Sequence, residues 1–269
     1  MGYAAGRFYP ADREELLNML NELFSGLEEK YDPRAGIVPH AGYIFSGRAA
    51  AKFWVNAKPN RNYIIIGTNH TGLGGLGDVS LMDIETPLGI ARNNKELALK
   101  LIELGFSNTE EAFTYEHSVE VQIPFLQYKL GNKFKVVPGV MKNYYEFARD
   151  VGKAMAEELD ESVVLVASSD FTHYGPFYDY VPFEDGRKVK ELDMLLINKI
   201  LELDSKGFYN LIRETGATVC GWGPIVSVIE FAKARGYKPI LLDYYTSGDV
   251  TGDYSNVVGY ASIIFTEQK

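Results

Sequence analysis

One cysteine, Cys220, two tryptophans and four histidines, His40, His70, His117 and His173, are the scarce side chains of this 269-residue sequence. A single cysteine cannot form an intramolecular disulfide, so no covalent framework holds the fold. Cations are also in deficit: 27 Lys and Arg stand against 36 Asp and Glu, a net charge of -9. Polyphosphate backbones and anionic bilayers attract clustered cations, so this balance argues against a general nucleic-acid or membrane-surface binder. No apolar run approaches the ~20 residues that cross a bilayer. The start, Met1-Gly2-Tyr3-Ala4-Ala5-Gly6, lacks the basic stretch and apolar run of a secretory signal, and a soluble cytoplasmic protein is expected. No linker of Pro, Gly or Ser and no repeat interrupts the chain, which predicts one domain over residues 1–269.

Hydrophobic residues make up 46% of the chain, enough for a large core. Asp12-Arg13-Glu14-Glu15, followed by Leu16, Leu17, Leu20, Leu23 and Phe24, puts acid in a first helical turn and apolar residues at helical spacing. Ala35-Gly36-Ile37-Val38 predicts a short buried strand leading to His40, and residues 46–54 a helix capped by Ser46. Tyr63-Ile64-Ile65-Ile66-Gly67 is apolar without alternation, as in a strand covered on both faces, and runs into His70. Strands follow at 134–138 and 163–167, with a helix over 144–159 between them. Helical spacing returns at 184–203, 205–213 and 224–235, and strands at 240–245 and 256–265 close the chain. This alternation predicts an α/β fold of three layers, α/β/α, around a mixed, mostly parallel central sheet with at least one reversed strand near the end.

In such sheets ligands gather at the carboxyl ends of the strands. His40, between Pro39 and the small Ala41-Gly42, suits a metal ligand or proton-transfer group, or a histidine bonded within its own turn. His70 precedes Gly72, Gly74, Gly75 and Gly77, a loop suited to a pocket rim that lacks the lysine and following helix of a phosphate cradle. Asp170 and His173 stand three apart after an apolar strand. They could ligate a metal or form a carboxylate-oriented general base, or Asp170 could simply cap the turn. Cys220, just before Gly221-Trp222-Gly223-Pro224, sits where a helix dipole favours thiolate, although a lone cysteine also serves as a small buried apolar group. His117 and Glu120 lie about one turn apart, at a helix start that Glu116 or Ser118 could cap, either facing a pocket or serving the helix.

Five motifs occur in order: Ala5-Gly6-Arg7-Phe8-Tyr9-Pro10; Pro39-His40-Ala41-Gly42-Tyr43 with Ser46-Gly47; Glu116-His117-Ser118; Ser168-Ser169-Asp170-Phe171-Thr172-His173; and Cys220-Gly221. Together they resemble the Memo family, named for a mediator of cell motility and found widely in archaea and bacteria. The resemblance spans nearly the whole chain. It implies a fold similar to class III extradiol dioxygenases of the LigB type, with a metal held by His40, His70 and Cys220 and with Asp170 and His173 beside it. It further implies that Tyr43 is a pocket tyrosine, and that Phe8 stands where animal members carry tryptophan, which removes the indole donor from any phosphotyrosine-peptide pocket. Radical-SAM and AMMECR-type proteins are the partners that the resemblance implies.

The expected function is therefore a metal-dependent oxidoreductase using iron or copper, with zinc as a further fit for two imidazoles and a thiolate. Asp170, His173 and His117 would be its catalytic side chains, and Tyr43 and Phe8 would contact a small-molecule or peptide ligand. Two other functions fit the same residues: a binding module that grips a peptide or small anion without turnover, and a zinc-dependent hydrolase.

Overall fold

The computed structural model describes residues 2–267. Its first helix, α1 (Arg13–Phe24), starts where Asp12 accepts from the backbone N–H groups of Glu14 and Glu15. Then come β1 (Ala35–Val38), α2 (Tyr43–Trp54), β2 (Asn62–Thr68), β3 (Gly77–Val79), a β4 (Ile84–Thr86) and β5 (Gly89–Ala91) hairpin, and α3 (Lys95–Glu103). The middle of the chain holds α4 (Ile123–Leu130), β6 (Lys135–Met141), α5 (Tyr145–Glu158), β7 (Val163–Ser168) and the short β8 (His173–Tyr174). The last third supplies α6 (Val189–Leu201), α7 (Ser205–Thr215), α8 (Trp222–Arg235), β9 (Lys238–Thr246), the single-turn α9 (Ser247–Thr251) and β10 (Val257–Thr266).

The sheet order is β3-β6-β2-β7-β1-β10-β8, with β9 on the other side of β10. Strands β6, β2, β7 and β1 are parallel, while β3, β8, β9 and β10 pair antiparallel, so the sheet is mixed and its reversed strands flank a parallel centre. Side-chain alternation splits the central strands between two cores. Ile64, Ile66, Leu165 and Ala167 face the layer of α5, α6 and α8. Tyr63, Ile65, Val164 and Val166 face α1, α2 and α4. The uninterrupted apolar character of β2 and β7 is the direct result of this double coverage.

Most boundaries shift by a few residues, and three differences are larger. Helix α2 begins at Tyr43 with Gly42 at its cap, and Ser46 is a turn inside, its hydroxyl donating to Ala41 O. The first N–H of that helix is satisfied at long range, Tyr43 N donating to Phe8 O at 2.8 Å, so no side-chain cap is needed. The predicted helix over 184–203 is a 3-10 turn at Gly186–Lys188 followed by α6. Strands β3, β4 and β5 are only three residues each, too short for periodicity to reveal. No helix among the described residues is long and apolar enough to cross a membrane.

Candidate metal site

The parallel strands β1, β2 and β7 end side by side, and the turns after them deliver His40, His70 and Asp170 to one place. The backbone N–H of His40 donates to Asp170 Oδ1 at 2.8 Å, tying the first turn to the third. Ser168 Oγ donates to Ser118 O at 2.5 Å and stands 3.2 Å from His40 Nδ1. With its proton so used, the serine accepts from Nδ1–H, which leaves Nε2 as the nitrogen turned to the site. That nitrogen is 3.4 Å from Cys220 Sγ. Cys220 comes from the turn before α8 and also accepts from Asp170 N at 3.3 Å.

Glu116 organises the opposite side. Its carboxylate lies 2.9 and 3.1 Å from His70 Nδ1 and accepts from the backbone N–H groups of His70, His117 and Ser118. A carboxylate bound to Nδ1–H fixes the imidazole and leaves Nε2 to face outward, the arrangement that commonly supports a metal-bound histidine. Gly67 makes this possible. A Cβ there would fall 2.0 Å from Ser118 Oγ, so only glycine lets β2 approach the Glu116-His117-Ser118 segment so closely.

His117 is stacked between two rings, with Phe8 at 4.0 Å and His70 at 4.8 Å between centroids, and His40 stands edge-on to both histidines. One ring nitrogen from each of His40, His70 and His117 lies within 4.8 Å of the others, a cluster that could hold a metal ion. It opens on a cavity of about 720 Å³ whose walls include Phe8, Phe45, Phe177, Tyr178 and Tyr260 together with the polar Ser247, Asp253 and Asn256. His173 lines the same cavity, its Nδ1 within 2.9 Å of Phe171 O and 3.1 Å of Thr218 O. Two carbonyls can only accept, so Nδ1 carries the proton and Nε2 is the basic atom.

The charges are mutually dependent. Burial would lower the pKa of His40, but the Cys220 thiolate and the Asp170 carboxylate outweigh it and raise it to about 9. Burial likewise opposes protonation of His70, and bonding to Cys220 and Glu116 raises it to about 10. Cys220 is driven well below the ordinary thiol range against its burial by His40 and His70, and Glu116 below the carboxylate range, also against burial, by His70. His117 is lowered by burial and by the two charged imidazoles, while burial raises Asp170. These shifts favour imidazolium beside thiolate and carboxylate, and a cation bound here would compete with those protons.

Several expectations meet here and others do not. Phe8, His40, His70, His117, Asp170 and His173 line one cavity, and Cys220 adjoins His40. His117, expected to be catalytic, completes the three-histidine cluster, whereas Cys220 stands outside that trio. Tyr43 does not reach the cavity: as the first residue of α2 it is buried against Tyr9 and Phe125, and its hydroxyl donates to Val121 O at 2.6 Å. Glu120 turns away from His117 to bind the N-terminal segment. The role of Glu116 as the hub of His70 could be read only as a helix cap from its position, because its main partner is 46 residues away. The walls from Phe177, Tyr178 and residues 247–256 carry no local signal of a site.

A family model described as Memo-like protein matches residues 2–264. A MEMO1 family protein of Methanosarcina acetivorans is 41% identical, covering 97% of this chain and 96% of its own, and one of Aquifex aeolicus is 42% identical with 97% of both covered. The structure is also similar to the crystal structure of an uncharacterized Escherichia coli K12 protein, with a TM-score of 0.56 at 13% identity over 86% of this chain and 98% of that one, a likeness of fold alone. With its whole architecture and its histidine cluster inside that match, the chain belongs to the Memo-like family.

Proposed function

We propose that this protein is a metal-dependent oxidoreductase acting on a small oxygenated molecule, with iron or copper held by His40, His70 and His117 and the Cys220 thiolate beside them. The observation that carries this reading is the convergence of three imidazole nitrogens within 4.8 Å. The donor set fits: imidazole suits iron, copper and zinc, and thiolate adds preference for softer ions. Bound there, such a metal would supply one-electron chemistry. Ser168 and Glu116 hold His40 and His70 by Nδ1, which keeps both rings aimed at the cluster. His173 Nε2 faces the cavity as a proton acceptor. Asp170 fixes the backbone of His40, and the aromatic wall around Phe8 and Phe45 excludes water from one side of a ligand.

Anaerobic titration of ferrous iron, cuprous copper and zinc, followed by elemental analysis, tests the reading. One redox-active ion bound per chain is expected, lost in His40→Ala. Binding of zinc alone would favour the hydrolase, since three protein ligands on zinc leave a fourth position for water. The size of the cavity favours a second reading, a binding module that grips a small molecule or peptide side chain without turnover. Ligand affinity that survives complete chelation would select that reading.

A further inference from the structure

Glu120 is a buried carboxylate, 2% exposed, that the proposed chemistry does not use. It accepts from Tyr3 N at 2.9 Å, Ala4 N at 3.0 Å and Tyr9 Oη at 2.7 Å, across more than 110 residues of sequence. No Lys, Arg or His is paired with it among the described residues, and three neutral donors satisfy its buried oxygens, an arrangement costly to break. What they hold is a closed loop. Gly6, at φ +76°, makes the left-handed turn that lets its N–H donate to Tyr9 O, and Phe8 N donates to Ala4 O. Phe8 O then accepts from Tyr43 N, the first N–H of α2. The one side chain this loop presents to the cavity is Phe8, lying nearly parallel to His117 with an interplanar angle of 11°.

We propose that Glu120 is a positioning residue for the site. By clamping the Tyr3–Tyr9 strap it lays Phe8 on one face of His117 and sets that imidazole against His70. Among the described residues no hydrogen bond holds a ring nitrogen of His117, its Nδ1 standing 3.8 Å from Glu116, so stacking is what fixes the ring. The ring stack therefore does for His117 what a carboxylate does for His70. Glu120 acts through Phe8 and touches no ligand itself. The consequence for metal affinity rests on the function proposed above; the consequence for His117 does not.

The experiment separates the two. Carbethoxylation of metal-free protein by diethyl pyrocarbonate, resolved by peptide mass spectrometry, reads His117 and His173 independently. Trypsin cleavage after Arg7 reads release of the strap. In Glu120→Ala, modification of His117 and cleavage at Arg7 are expected to accelerate about tenfold while His173 is unchanged, and metal affinity to fall about tenfold, the scale of losing a supporting partner. Phe8→Ala should reproduce the His117 effect with the Glu120 bonds intact, and the double variant should add nothing further. If Glu120→Ala fails to fold, Tyr9→Phe, which removes one donor, should show the same changes at smaller size. Release of the strap with His117 modification unchanged overturns the positioning role. If the wild type binds none of the three metals, the metal reading falls, while the His117 rates still decide the role of Glu120.

Discussion

Two cavities of similar size lie at opposite ends of β2 and β7. The one at the carboxyl ends, about 720 Å³, is walled by the histidines. The one at the amino ends, about 550 Å³, is lined by Asn62, Asn94, Glu96, Lys100, Glu103, Glu158 and Asp160. The second has charges too, but Lys100 pairs with Glu103 and Glu158 near the surface, and Asn94 bonds Asn62. At the carboxyl ends His40 is buried, His117 and His173 are half-buried and His70 is exposed, but Ser168, Glu116 and backbone carbonyls fix the Nδ1 atoms of His40, His70 and His173, and one ring nitrogen from each of His40, His70 and His117 converges on one place. Volume is common to both; convergent, pre-oriented donors distinguish the first.

The sharpest way to break this contrast is to remove donors from each end. His40→Ala and His70→Ala are each expected to weaken metal binding by more than about 100-fold, beyond the loss typical of supporting partners. Glu158→Ala should leave it unchanged. Calorimetric titration of both sets reads the difference, and equal losses would dissolve the distinction. Glu116→Gln comes next. It keeps the shape but removes the charge that holds Nδ1–H of His70 and three backbone N–H groups, for a loss of about 10- to 100-fold in affinity.

Proton competition sharpens the same comparison. With His40 raised to about 9 and His70 to about 10, both carry a proton in the metal-free protein at pH 7. Metal binding then expels protons, so affinity rises with pH, approaching a slope of about two log units per pH unit below pH 9 and flattening above about 10. The amino-end cavity contributes nothing to this slope. A pH-independent affinity between 6 and 8 would mean that the imidazoles are neutral before the metal arrives, and would remove the stored ion pairs from the account.

A buried carboxylate behind the site gives a stability counterpart. Asp193 is fully buried on α6, accepts from Thr172 N and Tyr244 Oη, and burial raises it to about 6. Its folded pKa exceeds the ordinary value of 3.8, so the native state binds the proton more tightly. Stability from this group is therefore largest below pH 4 and falls by about 3 kcal/mol as pH rises through 6. Asp193→Asn should lose that fall, so the wild-type-minus-variant difference in unfolding free energy should itself decrease from pH 4.5 to 7, whatever the offset from the altered hydrogen bonds. Urea unfolding at pH 4.5 and 7 measures it.

How far the sequence reveals these features depends on whether a pattern is local. Strands β2 and β7 are legible because both faces are buried and every residue from Tyr63 to Ile66 is apolar. Their carboxyl ends then point to His70 and Asp170 without further information. His117 is harder to assign, since what makes it part of the cluster is stacking on Phe8, more than a hundred residues earlier. Tyr43 misleads for the converse reason: its neighbours in sequence reach the cavity, but a residue at the start of α2 points into the core. Helix α3 and the β4–β5 hairpin cover one edge of the molecule and announce themselves in neither strand periodicity nor a long amphipathic run.

The smallest expected effect lies at the amino ends. Lys100 reaches Glu158 at 3.3 Å and Glu103 at 3.6 Å, with side-chain exposures of 38%, 52% and 70% in the order Lys100, Glu158, Glu103. Water and salt screen such pairs, and ordering a long lysine offsets much of the Coulomb gain, so an exposed pair typically contributes well under about 1 kcal/mol. Lys100→Ala breaks both pairs at once and should change unfolding free energy by no more than about 0.5 kcal/mol, less in 1 M salt than in low salt. It should leave metal affinity untouched, because nothing links Lys100 to the histidines except the rigid length of β2 and β7. A loss of several kcal/mol that survives high salt would mean that the amino-end cavity is closed and dry in solution, and its charges would then belong to a built site like those at the other end of the sheet.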